Sequence, residues 1–319
     1  MPLPPDEVIA VALERGLRSI RLPRHREMFA AALALRRDEP DGLTLSRDLA
    51  PAVFAAASGT TLSRLDIAAL SYILWVAFDV LDDVADGDAA AKWPDVSGAE
   101  LTVMASSLIA ATAHEIAATL DESPLVRERL HLRIARGIGE MADGQIADIA
   151  DTGRADITAD RIFTSVAGKT GAECALFAGL GAIVAGAAPE RCEHFEQFGT
   201  EYGIANQYVT DLLELFADDV SRDLVNGTRT LPIVWHIEGL AGVERDAFLD
   251  LLDQAQSDPA AAAGARATLA ASPTVRRTLL QIMIHIERAR SALVLAQPSG
   301  PAAALLEQFL LDLNPIACA

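Results

Sequence analysis

Apolar residues recur every three or four positions along nearly every long segment of this chain, backed by Glu, Arg and other polar residues on the opposite side. Sustained alternation of apolar and polar positions, the mark of a half-buried strand, is missing. The pattern predicts helices. Interruptions rich in Gly, Pro, Asp and Ser fall at DEPDG (38–42), GDAAAKWPDVSG (87–98), LDESP (120–124), DTGRADI (151–157), GAAPER (186–191), ADDVSRDLVNGTRTLP (217–232), QSDPA (256–260) and AQPSGP (296–301). No Ser/Gly/Pro linker long enough to separate domains occurs, and no repeat at a fixed period. We therefore expect one all-α domain over residues 1–319, of roughly ten or more helices, with 1–25 as an N-terminal cap or arm.

One helix ends oddly. The run ALSYILWVAF (69–78) reads as buried, and FDVLDDVADGD (78–88) follows it with five aspartates. Asp79, Asp82, Asp83 and Asp86 are three or four residues apart, so most share a face, where like charges repel. Gly87 reads as the C-terminal cap, and negative charge near a helix C-terminus is unfavourable as well. Either a solvated helix end or a cation would relieve the cluster. DDVAD fits Asp-Asp-x-x-Asp, with Asp82 and Asp86 one turn apart and Asp83 beside them, a spacing of hard oxygen donors suited to Mg²⁺. Beneath it lie Phe78, Trp75 and Tyr72, in a chain with only 5% aromatic residues. They read either as ordinary core or as an apolar pocket whose ring faces could stabilise a carbocation.

Composition narrows the classes. The chain is 51% apolar, enough for a large core, and its formal charge of −19 argues against nonspecific nucleic-acid binding. An anionic ligand would have to be met by bound cations or a few placed side chains. Cys174, Cys192 and Cys318 are scattered without CxxC spacing, which points to reduced thiols and a cytoplasmic location and away from a zinc site. The start, MPLPPDEVIAVALERGL, does not read as a signal peptide. No segment reads as a convincing membrane span; CALFAGLGAIVAGAA is the nearest, short and glycine-rich. Stable membrane insertion is therefore not expected.

A second acidic stretch, at 211–223, also follows an apolar helix. With FGTEYGIANQYVTDLLELFADDVSRDLVNGTRTLPIV (198–234), preceded in order by DDVAD, GQIAD (144–148) and GKTGAECALFAGLGAIVAGA (168–187), the chain resembles the trans-isoprenyl diphosphate synthase (polyprenyl synthetase) family over roughly residues 45–310. The resemblance implies a class I isoprenoid synthase helical bundle around a central apolar cavity. It also implies two aspartate-rich motifs that hold three Mg²⁺ ions on an allylic diphosphate. Carried over by position, Asp82, Asp83 and Asp86 stand at the first motif and Lys169 with Thr170 at the Lys-Thr pair that contacts diphosphate. Gln145 stands at the mid-chain Gly-Gln, and Gln207 precedes the second motif. Asp223, Gly227, Thr230, Leu231 and Pro232 follow the segment after it.

The departures bear on function. The second motif reads Thr210-Asp211-Leu212-Leu213-Glu214, so Asp211, Glu214 and Thr210 are the expected metal donors. Asn206, Thr210 and Glu214 offer another register, resembling the metal triad of class I terpene cyclases, although Gln207 replaces the aspartate after the Asn. The lysine of the family's Gly-Lys-x-Thr is Thr228, and the neighbouring Arg229 either reaches diphosphate or faces solvent. The basic stretch for isopentenyl diphosphate is reduced to Arg47 and Pro51 within 43–59, and AAAKWPD replaces the Arg-Arg-Gly after the first motif. A second diphosphate would be left with uncompensated charge.

The first expectation is accordingly a terpene synthase. It would ionise one allylic diphosphate with Mg²⁺, aided by Lys169 and Arg229, and quench the cation in a pocket lined by Trp75 and Phe78. Phe78 before the motif favours a C10 or C15 substrate. The alternative is a short-chain prenyltransferase with an altered acceptor site, followed by a non-catalytic regulatory subunit and a purely structural helical protein. The expected partner is an isoprenyl diphosphate, and a homodimer is the assembly to test.

Overall fold

The computed structural model of the chain describes residues 3–35, 40–62, 64–216 and 221–313, with only backbone described for 40–46. Among these residues every regular element is helical and there is no strand, so the fold is all-α. In chain order the first helices are α1 (Pro5–Gly16), α2 (Pro23–Leu35), α3 (Pro40–Ser58), α4 (Leu65–Asp86), α5 (Ala89–Lys92) and α6 (Gly98–Ser107). Next come a π-turn (Leu108–Thr112), α7 (Ala113–Ala118), α8 (Pro124–Asp151), α9 (Ala159–Val166), a second π-turn (Ala167–Gly171), α10 (Ala172–Val184) and α11 (Pro189–Phe216). The last are α12 (Arg222–Asn226), α13 (Leu231–Gly239), α14 (Gly242–Ala255), α15 (Pro259–Ala271), α16 (Thr274–Ala296) and α17 (Pro301–Asp312).

Five of the predicted breaks carry the proline that opens the next helix: Pro40, Pro124, Pro189, Pro259 and Pro301. Proline fits the first helical turn because its fixed φ is already helical and its missing N–H would have no partner there. Gly87 caps α4 as predicted, with φ 83°, a left-handed conformation that side chains with a Cβ resist.

Contacts group the chain into two compact units. The first comprises residues 1–139, 173–199 and 290–309. Its centre is α4, buried from Ile67 to Ala77 without interruption, which packs on α1, α3 and α6. A helix apolar all round requires such a cage, and each fully buried Leu or Ile contributes about 1.5–3 kcal/mol. Residues Gly98–Ala118 are long and apolar enough to cross a membrane by length and composition alone. Half of that window is buried in the protein, through Leu101, Met104, Leu108 and Ile116. Cys174 and Cys192 are free, buried thiols; Cys318 lies outside the described residues.

The second unit comprises 140–172, 200–289 and 310–319. Its core joins Leu215 of α11 and Leu224 of α12 to Ile233, Ile237, Phe248, Leu252 and Leu269 of the three following helices. An aromatic group adds to it: the Phe163 ring meets Tyr208 and Trp235 edge-on, and Tyr208 meets His285, whose Nδ1 bonds Glu201 at 2.6 Å.

Candidate active site

In the first unit, the end of α4 presents the first acidic cluster. Asp82 is half-buried, Asp83 buried and Asp86 exposed beside the Gly87 cap. Successive helical residues point about 100° apart, so Asp83 turns inward while Asp82 and Asp86 share another face. The inward carboxylate is met by Lys92, whose ammonium donates to Asp83 Oδ1 at 2.7 Å. Thus some of the repulsion that the sequence raised is relieved by a cation nine residues downstream, inside AAAKWPD. Trp75 is buried and its ring stacks on Tyr72 at 5.7 Å. Tyr72 donates its hydroxyl to Leu33 O at 2.8 Å, which makes it a core residue; Phe78 is half-buried one turn before Asp82. On α3, Arg47 is buried and forms two hydrogen bonds with Asp48, at 2.9 and 2.6 Å.

The second unit gathers most of the other candidate residues. There α8 meets the π-turn after α9 at Gly144 and Gly168. A Cβ on Gly144 would lie 2.3 Å from the Gly168 carbonyl carbon, so only glycine permits this approach. The crossing sets Asp148, one turn beyond Gly144, against Lys169, the residue after Gly168. Lys169 Nζ donates to Asp148 Oδ2 at 2.7 Å, and Ser165 Oγ donates to Asp148 Oδ1 at 3.2 Å. The π-turn inserts an extra residue locally, a feature found often at functional sites. It also presents Thr170, whose hydroxyl donates to Gln207 Oε1 at 2.6 Å. Gln207 Nε2 in turn donates to Asp211 Oδ1 at 2.8 Å along α11. Gln145, next to Gly144, is half-buried.

Asp211 is the electrostatic focus. Burial lifts its carboxyl from the ordinary 3.8 to about 7; the Gln207 hydrogen bond opposes this, the nearby Asp148 charge adds to it, and Lys169 opposes it. Tyr208, on the same helix, is also pushed upward by burial and by Asp211.

Other expected residues lie apart from this set. Thr210 is exposed while Asp211 is buried, so the two occupy different faces of α11. Asn206, Thr210 and Glu214 share a face by their four-residue spacing. Glu214 accepts the backbone N–H of Arg222 at 2.6 Å, tying it to the start of α12. Of the two acidic loops, Asp218 and Asp219 lie outside the described residues. Arg229 does not face solvent: it is buried, 3.7 Å from Asp253, and burial lowers its pKa. Asp148, Ser165 and Lys92 are the residues that sequence reasoning passed over. The signal for Asp148 was present, since GQIAD places it one turn after Gly144.

The donor chemistry fits Mg²⁺. Asp148 and Asp211 are two carboxylates close enough for one to raise the pKa of the other, and Mg²⁺ is commonly held by one or two carboxylates plus substrate phosphate oxygens. Among the described residues no group of three or more His, Cys, Asp and Glu is arranged to hold a metal ion through protein atoms alone. A site completed by a phosphorylated substrate does not need one.

Comparisons with known proteins agree with this architecture. The polyprenyl synthetase family model matches residues 45–269, and the chain belongs to that family. A geranylgeranyl diphosphate synthase from Mycobacterium tuberculosis is 31% identical over 210 residues, covering 62% of this chain and 56% of the relative. A (2E,6E)-farnesyl diphosphate synthase from Mycobacterium bovis is 32% identical over 186 residues, covering 53% and 50%. The chain thus spans about half the length of these curated relatives. In fold it is similar to a decaprenyl diphosphate synthase from Rhodobacter capsulatus, with a TM-score of 0.81 at 20% identity over 98% of this chain and 95% of the other.

Proposed function

We propose that the protein is a Mg²⁺-dependent prenyltransferase of the short-chain isoprenyl diphosphate synthase kind, with an altered acceptor site. It takes a C10 or C15 allylic diphosphate. The observation that carries this reading is the set Asp148–Lys169 and Thr170–Gln207–Asp211, assembled by the Gly144–Gly168 crossing in a member of this family. The terpene synthase expectation recedes, because the relatives are named as geranylgeranyl and farnesyl diphosphate synthases. The reading as a regulatory subunit gains nothing from the site.

In this reading Asp82, Asp83 and Asp86 are the candidate metal donors of the first unit, and Asp211 with Asp148 those of the second; Thr210 and Glu214 remain candidate donors there. Bound Mg²⁺ would supply positive charge against the leaving diphosphate. Lys169, Thr170, Gln207 and Gln145 orient the diphosphate, and Lys169 exchanges its bond to Asp148 for one to a phosphate oxygen. Trp75 and Phe78 exclude water from the allylic end. Buried Arg229 acts by holding the segment before α13 rather than from solvent. The acceptor side differs from the family pattern, because Arg47 is committed to Asp48 and Lys92 to Asp83.

We further infer a cytoplasmic homodimer without membrane insertion. Leu125 and Leu132 of α8 are exposed seven residues apart, the spacing of a seam that a paired helix covers. Purified protein with Mg²⁺ and geranyl or farnesyl diphosphate, with and without isopentenyl diphosphate, tests the main reading. Acceptor-dependent prenyl products support it. Hydrocarbon or alcohol alone, formed equally well without any acceptor, would return the terpene synthase reading.

A further inference from the structure

The first acidic cluster carries its own cation. Gly87, at φ 83°, ends α4 in a left-handed turn, and after Asp88 the four residues of α5 follow. Two buried residues anchor that return: Ala89 opens α5, and Trp93 follows it and donates its backbone N–H to Ala89 O at 2.8 Å. Between them Lys92, the last residue of α5, is set against α4, and its ammonium donates to Asp83 Oδ1 at 2.7 Å. The pair is sheltered: the Asp83 side chain keeps 8% of its exposure and that of Lys92 27%. Salt screens charges so placed less than it screens a surface pair.

This divides the three aspartates. Asp83 turns inward to Lys92, whereas Asp82 and Asp86, half-buried and exposed, share another face one turn apart. They are two hard oxygen donors, and Mg²⁺ is commonly held by one or two carboxylates with phosphate oxygens, so the pair fits it without Asp83.

We propose that Lys92 is a positioning residue, a resident counter-cation that keeps Asp83 out of metal coordination and sets how tightly Asp82 and Asp86 take a divalent ion. This deepens the reading of the cluster as a Mg²⁺ site in a prenyltransferase and rests on it. One ammonium has two effects. It neutralises Asp83 in the metal-free protein, where a sheltered carboxylate without a partner is costly. It also sets a positive charge beside the metal donors, which lowers their affinity for another cation. Asp82 and Asp86 then load chiefly once a diphosphate adds its own negative charge, so metal binding is coupled to the arrival of substrate.

Mn²⁺ binding to the full chain, followed by electron paramagnetic resonance without any substrate, tests this apart from turnover; Asp82→Ala identifies the share bound at this cluster. Lys92→Gln and Lys92→Met are expected to tighten that share about three- to tenfold, and Lys92→Arg to leave it within about twofold. Inorganic diphosphate is expected to narrow the difference. The double variant Lys92→Gln/Asp83→Asn keeps the net charge and a hydrogen-bonding pair, and is expected to bind Mn²⁺ within about twofold of wild type. Should Lys92→Met fail to fold, Lys92→Gln decides, because it retains a donor for Asp83. An affinity unmoved by the loss of the ammonium overturns the proposal, and so does a double variant weaker by about tenfold, which would make Asp83 a ligand. A raised KM for isopentenyl diphosphate with unchanged Mn²⁺ affinity also overturns it and assigns Lys92 to the acceptor. Mn²⁺ binding indifferent to Asp82→Ala instead overturns the metal-site reading. If wild type releases no diphosphate with any acceptor, the prenyltransferase reading fails, while the Mn²⁺ series still decides the role of Lys92.

Discussion

At the scale of single residues, burial changes Asp211 in the range that matters near neutral pH. Its carboxyl titrates near 7 in the folded protein against 3.8 ordinarily, so between those values the native state binds a proton that the unfolded state has released. Stability therefore falls as pH rises through that window and stays reduced above it. Asp211→Asn removes the penalty. In EDTA, we expect urea unfolding at pH 8 to show the variant more stable by about 2–4 kcal/mol, with little difference at pH 4. The same variant is expected to lose activity, the exchange of stability for function common at active sites. Lys169 gives a second prediction: Lys169→Gln removes the ammonium that the proposed function sets against the leaving group, and is expected to lower kcat by about 10²–10³-fold in a diphosphate-release assay. Residue roles were only partly legible in the sequence. Lys92 is nine residues from Asp83, beyond the reach of helical spacing, and nothing in Thr-Arg-Thr announces that Arg229 is buried. The register of the second motif depends on which face of α11 packs inward, a tertiary fact.

Among the elements, the close approach of α8 to the π-turn is the most exposed to substitution. Gly144→Ala would place a methyl within 2.3 Å of backbone. The helices must separate, at a cost of about 1–3 kcal/mol, and Asp148 must move from Lys169. The expected outcome is a lower melting temperature together with a loss of turnover larger than the loss of folded protein explains. Leu132→Glu on the exposed seam of α8 is expected to leave the melting temperature within a few degrees and shift light-scattering mass from dimer to monomer. Helix positions were largely readable, because prolines at 40, 124, 189, 259 and 301 start helices by a local mechanism. The π-turns were not. Their extra residue is set by how α9 and α10 pack, and AGKTG has no local signature for it.

For the whole molecule, the family and its ordered motifs were legible, because four pieces in sequence constrain one another more than any one alone. The acceptor was less so. The missing basic residues suggested that the protein acts on one substrate, whereas relatives it resembles are named as geranylgeranyl and farnesyl diphosphate synthases. The net charge of −19 makes divalent cations the natural mediators for a diphosphate. The most direct measurement is release of diphosphate from farnesyl diphosphate in the presence of isopentenyl diphosphate by the purified protein, with Mg²⁺ or EDTA, for wild type, Asp82→Ala and Lys169→Gln. The account predicts Mg²⁺-dependent release, at least a hundredfold slower in each variant and abolished by EDTA. Release that ignores EDTA, or that persists unchanged in both variants, would contradict it.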